Sequence, residues 1–239
     1  MSALQNKVAL VTGAGRGIGS AIALALATAG CRVVLTSRTA AHLDAVQRDI
    51  EGSGGQAVTV PADLACDEDV DRLLTESQKV FGAVDILINN AGWGKKSTIA
   101  RANVHDWDQT LRVNLRAPML LTRSVLPPMI ERQGGAIINI SSVSGKSGEA
   151  GSSAYAASKF GMIGFTQSLY EEVREYGIKV SVILPGFVDT PMIPPVKHLD
   201  RSKMIRPEDV ADAVLFVLKS SPTSCPVEMT IRPQRTPYR

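Results

Sequence analysis

Short runs of almost continuously apolar, β-branched residues alternate along this chain with longer stretches in which apolar residues recur at helical spacing. The runs are VALVT (8–12), RVVLTS (32–37), AVTVPADL (57–64), DILINNAG (85–92), AIINISS (136–142), KVSVILPG (179–186) and EMTIRP (228–233). Unbroken apolarity, in place of a two-residue alternation, predicts strands buried on both faces of a parallel sheet. One intervening stretch begins at Pro207, puts Glu208 and Asp209 in a first helical turn, and carries Val210, Val214, Val217 and Leu218 on one side. Strand–helix alternation repeated about seven times predicts a doubly wound, Rossmann-type α/β fold: a parallel sheet with helices on both faces. No linker or short repeat interrupts it, so residues 1–239 are read as one domain. Ligands of such sheets bind beyond the carboxyl ends of the strands, and the chemistry is to be sought there.

Composition narrows the partners. An apolar content of 44% in 239 residues allows a substantial core. A formal net charge of +3, with the basic residues scattered, argues against nucleic acid, which needs clustered Lys and Arg. Cys31, Cys66 and Cys225 are far apart and have no histidine nearby, which makes neither a disulfide framework nor a zinc site. His42, His105 and His198 are isolated, so no metal is expected. MSALQNKVALV lacks the features of a signal peptide, and the apolar helix around 21–29 is too short to span a bilayer. The expectation is a soluble, cytoplasmic protein with no membrane partner.

The first run leads into Thr12-Gly13-Ala14-Gly15-Arg16-Gly17-Ile18-Gly19 and then directly into a helix. Glycine lets backbone approach a pyrophosphate closely, and a helix N-terminus offers unpaired N–H groups. No glycine triplet here has the G-x-G-x-x-G spacing, so a phosphate-binding turn of another pattern and a mobile connecting loop both remain open. Further on, SAYAASKFG (153–161) puts Tyr155 and Lys159 four apart, on one face of a helix.

Thr-Gly-x-x-x-Gly-Ile-Gly resembles the turn of the short-chain dehydrogenase/reductase family. Other motifs similar to that family follow in order: Asp63-Leu64, Asn89-Asn90-Ala91-Gly92, Asn114, Ser142, Tyr155-x-x-x-Lys159 and Pro185-Gly186. The resemblance implies an oxidoreductase that transfers hydride between a nicotinamide cofactor and a carbonyl or alcohol. Gly13, Gly15, Gly17, Ile18 and Gly19 would cradle the pyrophosphate, Asp63 and Leu64 would flank the adenine, and Asn90, Ala91 and Gly92 would line the adenosine ribose. Lys159 would contact the nicotinamide ribose and Thr190 the carboxamide, while Pro185, Gly186 and Val188 would shape the nicotinamide pocket.

The second run ends Thr36-Ser37-Arg38, with no carboxylate where NAD-binding Rossmann folds place one. A carboxylate would repel a 2′-phosphate, whereas Arg38, with Arg16 in the glycine turn and Ser37 between, can hold it. This pattern resembles NADP-preferring members, and NADP(H) is expected over NAD(H). Tyr155 is the expected proton donor. A free phenol has a pKa near 10, and an adjacent ammonium together with the cofactor's cationic ring should lower it. By resemblance, Ser142 steadies the charge developing on the substrate oxygen, and Asn114 marks a helix kink that holds a water against Lys159. Ser141 must point to the opposite face from Ser142.

The resemblance places the substrate among Trp93, Ser144, Phe187, Met192 and Ile193, under a short loop, residues 190–206, whose Lys197, Arg201 and Lys203 offer positive charge. Similar sequences are often 3-oxoacyl carrier-protein reductases. Here, however, Gln133 and Tyr176 replace the basic residues expected for a carrier protein, and the chain ends EMTIRPQRTPYR where relatives commonly end in Val-Asp-Gly-Gly. The expected substrate is therefore a ketone or aldehyde of small-molecule size. The resemblance also implies a homo-oligomer, dimer or tetramer, built on the helices containing Asn114 and Tyr155. The rival reading is a catalytically idle NADP-binding regulator, against which the intact Asn114, Ser142, Tyr155 and Lys159 set argues. A sugar-nucleotide epimerase would need a longer chain and a different glycine turn.

Overall fold

The computed structural model describes residues 4–193 and 198–238. All seven apolar runs form strands: β1 (Val8–Thr12), β2 (Arg32–Thr36), β3 (Gln56–Thr59), β4 (Ile86–Asn89), β5 (Gly135–Ile140), β6 (Ile178–Pro185) and β7 (Glu228–Ile231). They make one sheet in the order β3-β2-β1-β4-β5-β6-β7, and every pairing is parallel. The strand order reverses at β1, which opens a crevice beyond the carboxyl ends of β1 and β4.

Helices cover both faces, as unbroken strand apolarity requires. On one side α1 (Gly17–Thr28), α2 (Ala40–Gly52) and α7 (Pro207–Lys219) bury Ile22, Leu26, Leu43, Val210, Val214 and Val217 against the sheet. On the other, α3 (Asp67–Phe81), α5 (Ala117–Glu131) and α6 (Ser153–Val173) contribute Leu73, Leu121, Met129 and Leu169. Each such side chain contributes about 1.5–3 kcal/mol on leaving water. The helix read from Pro207 buries all four of the residues predicted for its inner face. No helix among the described residues is long and apolar enough to cross a membrane.

Two strands are shorter than their sequence runs, and in both the remainder turns toward the crevice. β3 is assigned only to Thr59, yet Val60 and Ala62 still donate to the Leu35 and Ser37 carbonyls, and Pro61 sits between them on the open edge of the sheet, where no partner strand needs its N–H. β4 stops at Asn89 because the next two amides, Asn90 and Ala91, donate instead to the Thr12 hydroxyl, at 2.9 and 3.0 Å. Between α4 (Val104–Leu111) and α5 the chain runs through a π turn, Arg112–Arg116, in which Ala117 N–H reaches back to the Arg112 carbonyl. Pro118 explains it: the residue four beyond Asn114 has no N–H for the Asn114 carbonyl, so the regular ladder cannot continue.

Gly19 holds α1 down on the strand end. A Cβ there would lie 2.2 Å from the Gly13 carbonyl oxygen and 2.5 Å from Asn90 Nδ2, both in the rigid turn. Gly19→Ala is therefore expected to destabilise the fold by about 3 kcal/mol, read as a lower urea midpoint at unchanged slope.

Candidate active site

The turn after β1 is built for close approach. Gly13 and Gly17 have φ of +64° and +60°, a region other residues rarely adopt. A side chain at Gly13 would meet Ala91 Cα at 2.9 Å, and one at Gly15 would meet His42 Cβ at 2.9 Å. Arg16 occupies the N-cap of α1 in extended geometry without a side-chain cap, so the first amides of the helix face the crevice unoccupied by any capping group. Asn90 locks this turn to β4 by donating through Nδ2 to the Thr12 carbonyl at 2.9 Å. The turn is thus a fixed cradle and not a mobile connector.

A cleft of about 360 Å³ follows this edge of the sheet. One end is lined by Ser37, Arg38, Thr39, His42, Asp63 and Leu64; the middle by the glycine turn and Asn90–Gly92; the other end by Trp93, Tyr155, Lys159, Thr190 and Met192. At the first end the guanidinium groups of Arg16 and Arg38 are exposed and make no ion pair with any described residue. The Ser37 hydroxyl oxygen beside them is buried and has no hydrogen-bond partner among the described residues. Such an atom is costly unless something fills its place. The donor set suits a polyanion.

The other end is organised by Lys159, only 3% exposed. Its ammonium donates to the Ile140 carbonyl at 2.9 Å and lies 5.6 Å from the centre of the Tyr155 ring. Burial pushes the Lys159 pKa down to about 8. Burial also pushes the Tyr155 phenol up, while a hydrogen bond with the Ser142 hydroxyl acts in the opposite direction. In the protein's own surroundings burial outweighs that hydrogen bond, so the direction for Tyr155 is upward, whereas the expected lowering was for the phenol beside both the ammonium and the cofactor's cationic ring. Ser142 accepts the Ser144 amide at 3.1 Å and is not itself among the residues lining the cleft, whereas Ser141 reaches the lining while its hydroxyl donates to the Lys159 carbonyl at 3.0 Å. The two serines therefore face opposite ways, as alternation requires.

Asn114 sits behind this end, 1% exposed. Its amide accepts the Trp93 N–H at 2.8 Å and donates to the Trp93 carbonyl at 2.8 Å and to Ser158 Oγ at 3.0 Å. The side chain thus fixes the Trp93 turn, a role that helix propensity did not suggest. Gly92 lies between the two groups, its missing Cβ 3.8 Å from Lys159 Nζ and 3.9 Å from Asn114 Oδ1.

Several expected residues are placed elsewhere. Pro185, Gly186 and Val188 stand behind the cleft wall: Pro185 pairs with Ile231, Gly186 lies under Pro233, and Val188 is buried against Ile205. Phe187 packs edge-on against Tyr238 with ring centres 5.4 Å apart, and Ile193 and Ser144 do not line the cleft. Arg201 is held by Asp189 and by the Thr190 and Ile193 carbonyls, and Lys203 pairs with Asp200, so neither offers free charge to a substrate. Lys197 lies outside the described residues. Thr39, His42, Gln109 and Val113 line the cleft unanticipated; His42 does so because the first turn of α2 rests on Gly15, a contact with no sequence signature.

Comparison with known proteins agrees with this geometry. The family model described as short chain dehydrogenase matches residues 7–200. A 3-oxoacyl-[acyl-carrier-protein] reductase of Synechocystis sp. is 39% identical over 224 residues, 91% of each chain. A metagenomic short-chain oxidoreductase solved in complex with NADP superimposes with a TM-score of 0.86 at 37% identity, over 98% of this chain and 99% of the other. A blue fluorescent protein from a metagenomic library, solved with NADPH, gives 0.88 at 30% identity, over 96% and 98% of the two chains.

The buried ammonium has a measurable signature. A lysine whose folded pKa of about 8 lies below its unfolded 10.5 favours folding fully only above 10.5, and that contribution is lost as pH falls through 8. Lys159→Met is therefore expected to melt higher than the unsubstituted protein at neutral pH. The advantage should shrink as pH rises from 8 towards 10.5, checked by thermal melts across that range.

Proposed function

The chain belongs to the short-chain dehydrogenase family, and from that premise we propose that it is an NADP(H)-dependent oxidoreductase acting on a ketone or aldehyde and the corresponding alcohol. The observation that carries the reading is the pairing, in one cleft, of a glycine cradle with a buried lysine whose ammonium faces the ring of Tyr155.

The residues present fit the cofactor. The positive-φ glycines and the open first turn of α1 suit a pyrophosphate. The partnerless Ser37 hydroxyl, in the same cleft wall as Arg16 and Arg38, suits a 2′-phosphate, and the end of β2 itself carries no carboxylate to repel it. Asp63 and Leu64 would flank the adenine, Asn90, Ala91 and Gly92 the adjoining ribose, and Lys159 and Thr190 the nicotinamide half. The solved relatives bound to NADP and NADPH support this choice. When bound, the nicotinamide supplies or takes up the hydride.

The protein's own groups handle the proton and the charge. In the reducing direction, Tyr155 donates its proton to the substrate oxygen, a task suited to a phenol that burial keeps protonated. Ser142, at the N-cap of the short turn after β5 and on the side of that phenol, would turn its single O–H to the same substrate oxygen and steady the charge developing on it. Lys159 holds positive charge beneath the ring and favours the phenolate left behind. Asn114 fixes Trp93 and Gly92, and so the wall against which the substrate lies.

Trp93, Val113 and Met192 make the substrate end of the cleft largely apolar, with Gln109 at its margin. A small carbonyl compound fits this lining; a 3-oxoacyl thioester is one member of that class, the one named for the Synechocystis relative. Leu111, Met119 and Phe160, exposed on the elements around Asn114 and Tyr155, support pairing of these helices between copies of the chain.

A screen of NADPH oxidation over 3-oxoacyl thioesters, semialdehydes, diketones and cyclic ketones is expected to reveal turnover. Tyr155→Phe should lower kcat by roughly 100-fold or more with NADPH affinity kept, and undiminished reduction would overturn the mechanism. Arg38→Glu should weaken NADPH by roughly 10- to 100-fold and leave NADH within a few-fold, measured by fluorescence titration.

A further inference from the structure

The C-terminal tail does not leave the molecule after β7. Ile231 accepts the Gly186 amide at 2.8 Å, and Pro233 presses on Gly186, whose added Cβ would meet Pro233 Cδ at 3.1 Å. The chain then returns to the segment that follows residue 197. Pro237 is buried and its carbonyl accepts the Asp200 amide at 2.7 Å, Leu199 and Tyr238 form an antiparallel bridge, and the Tyr238 ring stands edge-on to Phe187. That segment is tied in turn to the cleft. Ile205 exchanges amide hydrogen bonds with the Phe187 carbonyl and the Asp189 amide, at 2.9 and 2.8 Å. Arg201 grips Asp189 and donates to the Thr190 carbonyl at 3.0 Å. Thr190 and Met192 are cleft wall, and Thr190 Cγ2 would be 3.1 Å from a Cβ on Gly17.

We propose that residues 232–238 act as a clasp that fixes the Thr190–Met192 wall of the cleft, with Tyr238 as its positioning residue. Tyr238 touches neither the glycine cradle nor Tyr155 or Lys159, so it acts only through Phe187 and Leu199. A wall held this way faces the substrate end, whereas Ser37, Arg38 and His42 lie at the opposite end and are not reached by the tail. The clasp therefore sets how tightly a carbonyl compound is held more than it sets the affinity for the dinucleotide, which would touch this wall only through Thr190 and is held mainly by the glycine turn and the end of β2. Its kinetic consequence rests on the oxidoreductase reading; its structural one does not.

The test uses the full chain, Tyr238→Ala, Tyr238→Phe and a chain ending at Arg235, with acetoacetyl-coenzyme A, succinic semialdehyde and diacetyl as carbonyl probes. Hydrogen–deuterium exchange in Tyr238→Ala and the shortened chain is expected to quicken roughly tenfold over residues 198–206 and 187–193, and to stay unchanged over β1 and α1. KM for the best probe should rise roughly tenfold, with NADPH Kd raised by less than about threefold and kcat lowered less than KM is raised. Tyr238→Phe keeps the ring contact and should behave as the unsubstituted protein. Unaltered exchange in both Tyr238→Ala and the shortened chain would overturn the clasp, as would faster exchange with no change in KM, or a loss of NADPH affinity equal to the loss of substrate affinity. If the unsubstituted protein reduces none of the probes, the oxidoreductase reading fails and the exchange pattern alone decides the clasp.

Discussion

An ammonium with almost no exposure to water is the feature around which the rest of this structure is arranged. Taking such a charge out of solvent costs several kcal/mol, and the cost is tolerated only where hydrogen bonds and geometry hold it in place. Here the Ile140 carbonyl takes the Lys159 ammonium, the Ser141 hydroxyl holds the Lys159 carbonyl, and Gly145 packs so closely on that carbonyl that an added Cβ would lie 2.8 Å from it. Tyr155 covers the charge from one helical turn earlier. Together these contacts explain why the end of β5, the short turn after it and the first turns of α6 are immobilised against one another.

The two ends of the cleft use different physics. At the end of β2, charge is exposed and makes no ion pair among the described residues, and its strength depends on whatever anion it meets. At the end of β5, charge is buried, and its effect on a neighbouring phenol is set by the protein's own packing. The glycine turn joins the two because it can be approached from both: Gly15 rests on α2 beside Ser37, and Gly17 rests on Thr190. A single turn therefore sets the spacing between an anion site and an acid–base site.

Every strand was legible as an apolar run, and α7 was legible down to the residues it buries, because burial on one or both faces leaves a periodic record. The catalytic quartet and the glycine turn were legible as motifs. Strand ends were not: β4 stops where its next two amides turn to the Thr12 hydroxyl, 78 and 79 residues away in sequence. The kink at Asn114 was expected, but the cause is Pro118, and the side chain turned out to grip Trp93. Phe187 and Arg201 looked available for substrate and are instead held by Tyr238 and Asp189.

By itself, then, the sequence determined the layered α/β architecture, the cradle and the pairing of phenol with amine, since each depends on local periodicity or on residues a few positions apart. Tertiary structure alone decided which way the buried charge faces, how it and the phenol titrate, and which side chains of the segments after β6 reach the cleft. Those properties depend on desolvation and on contacts between distant segments, such as Tyr238 with Phe187, and neither has a period along the chain.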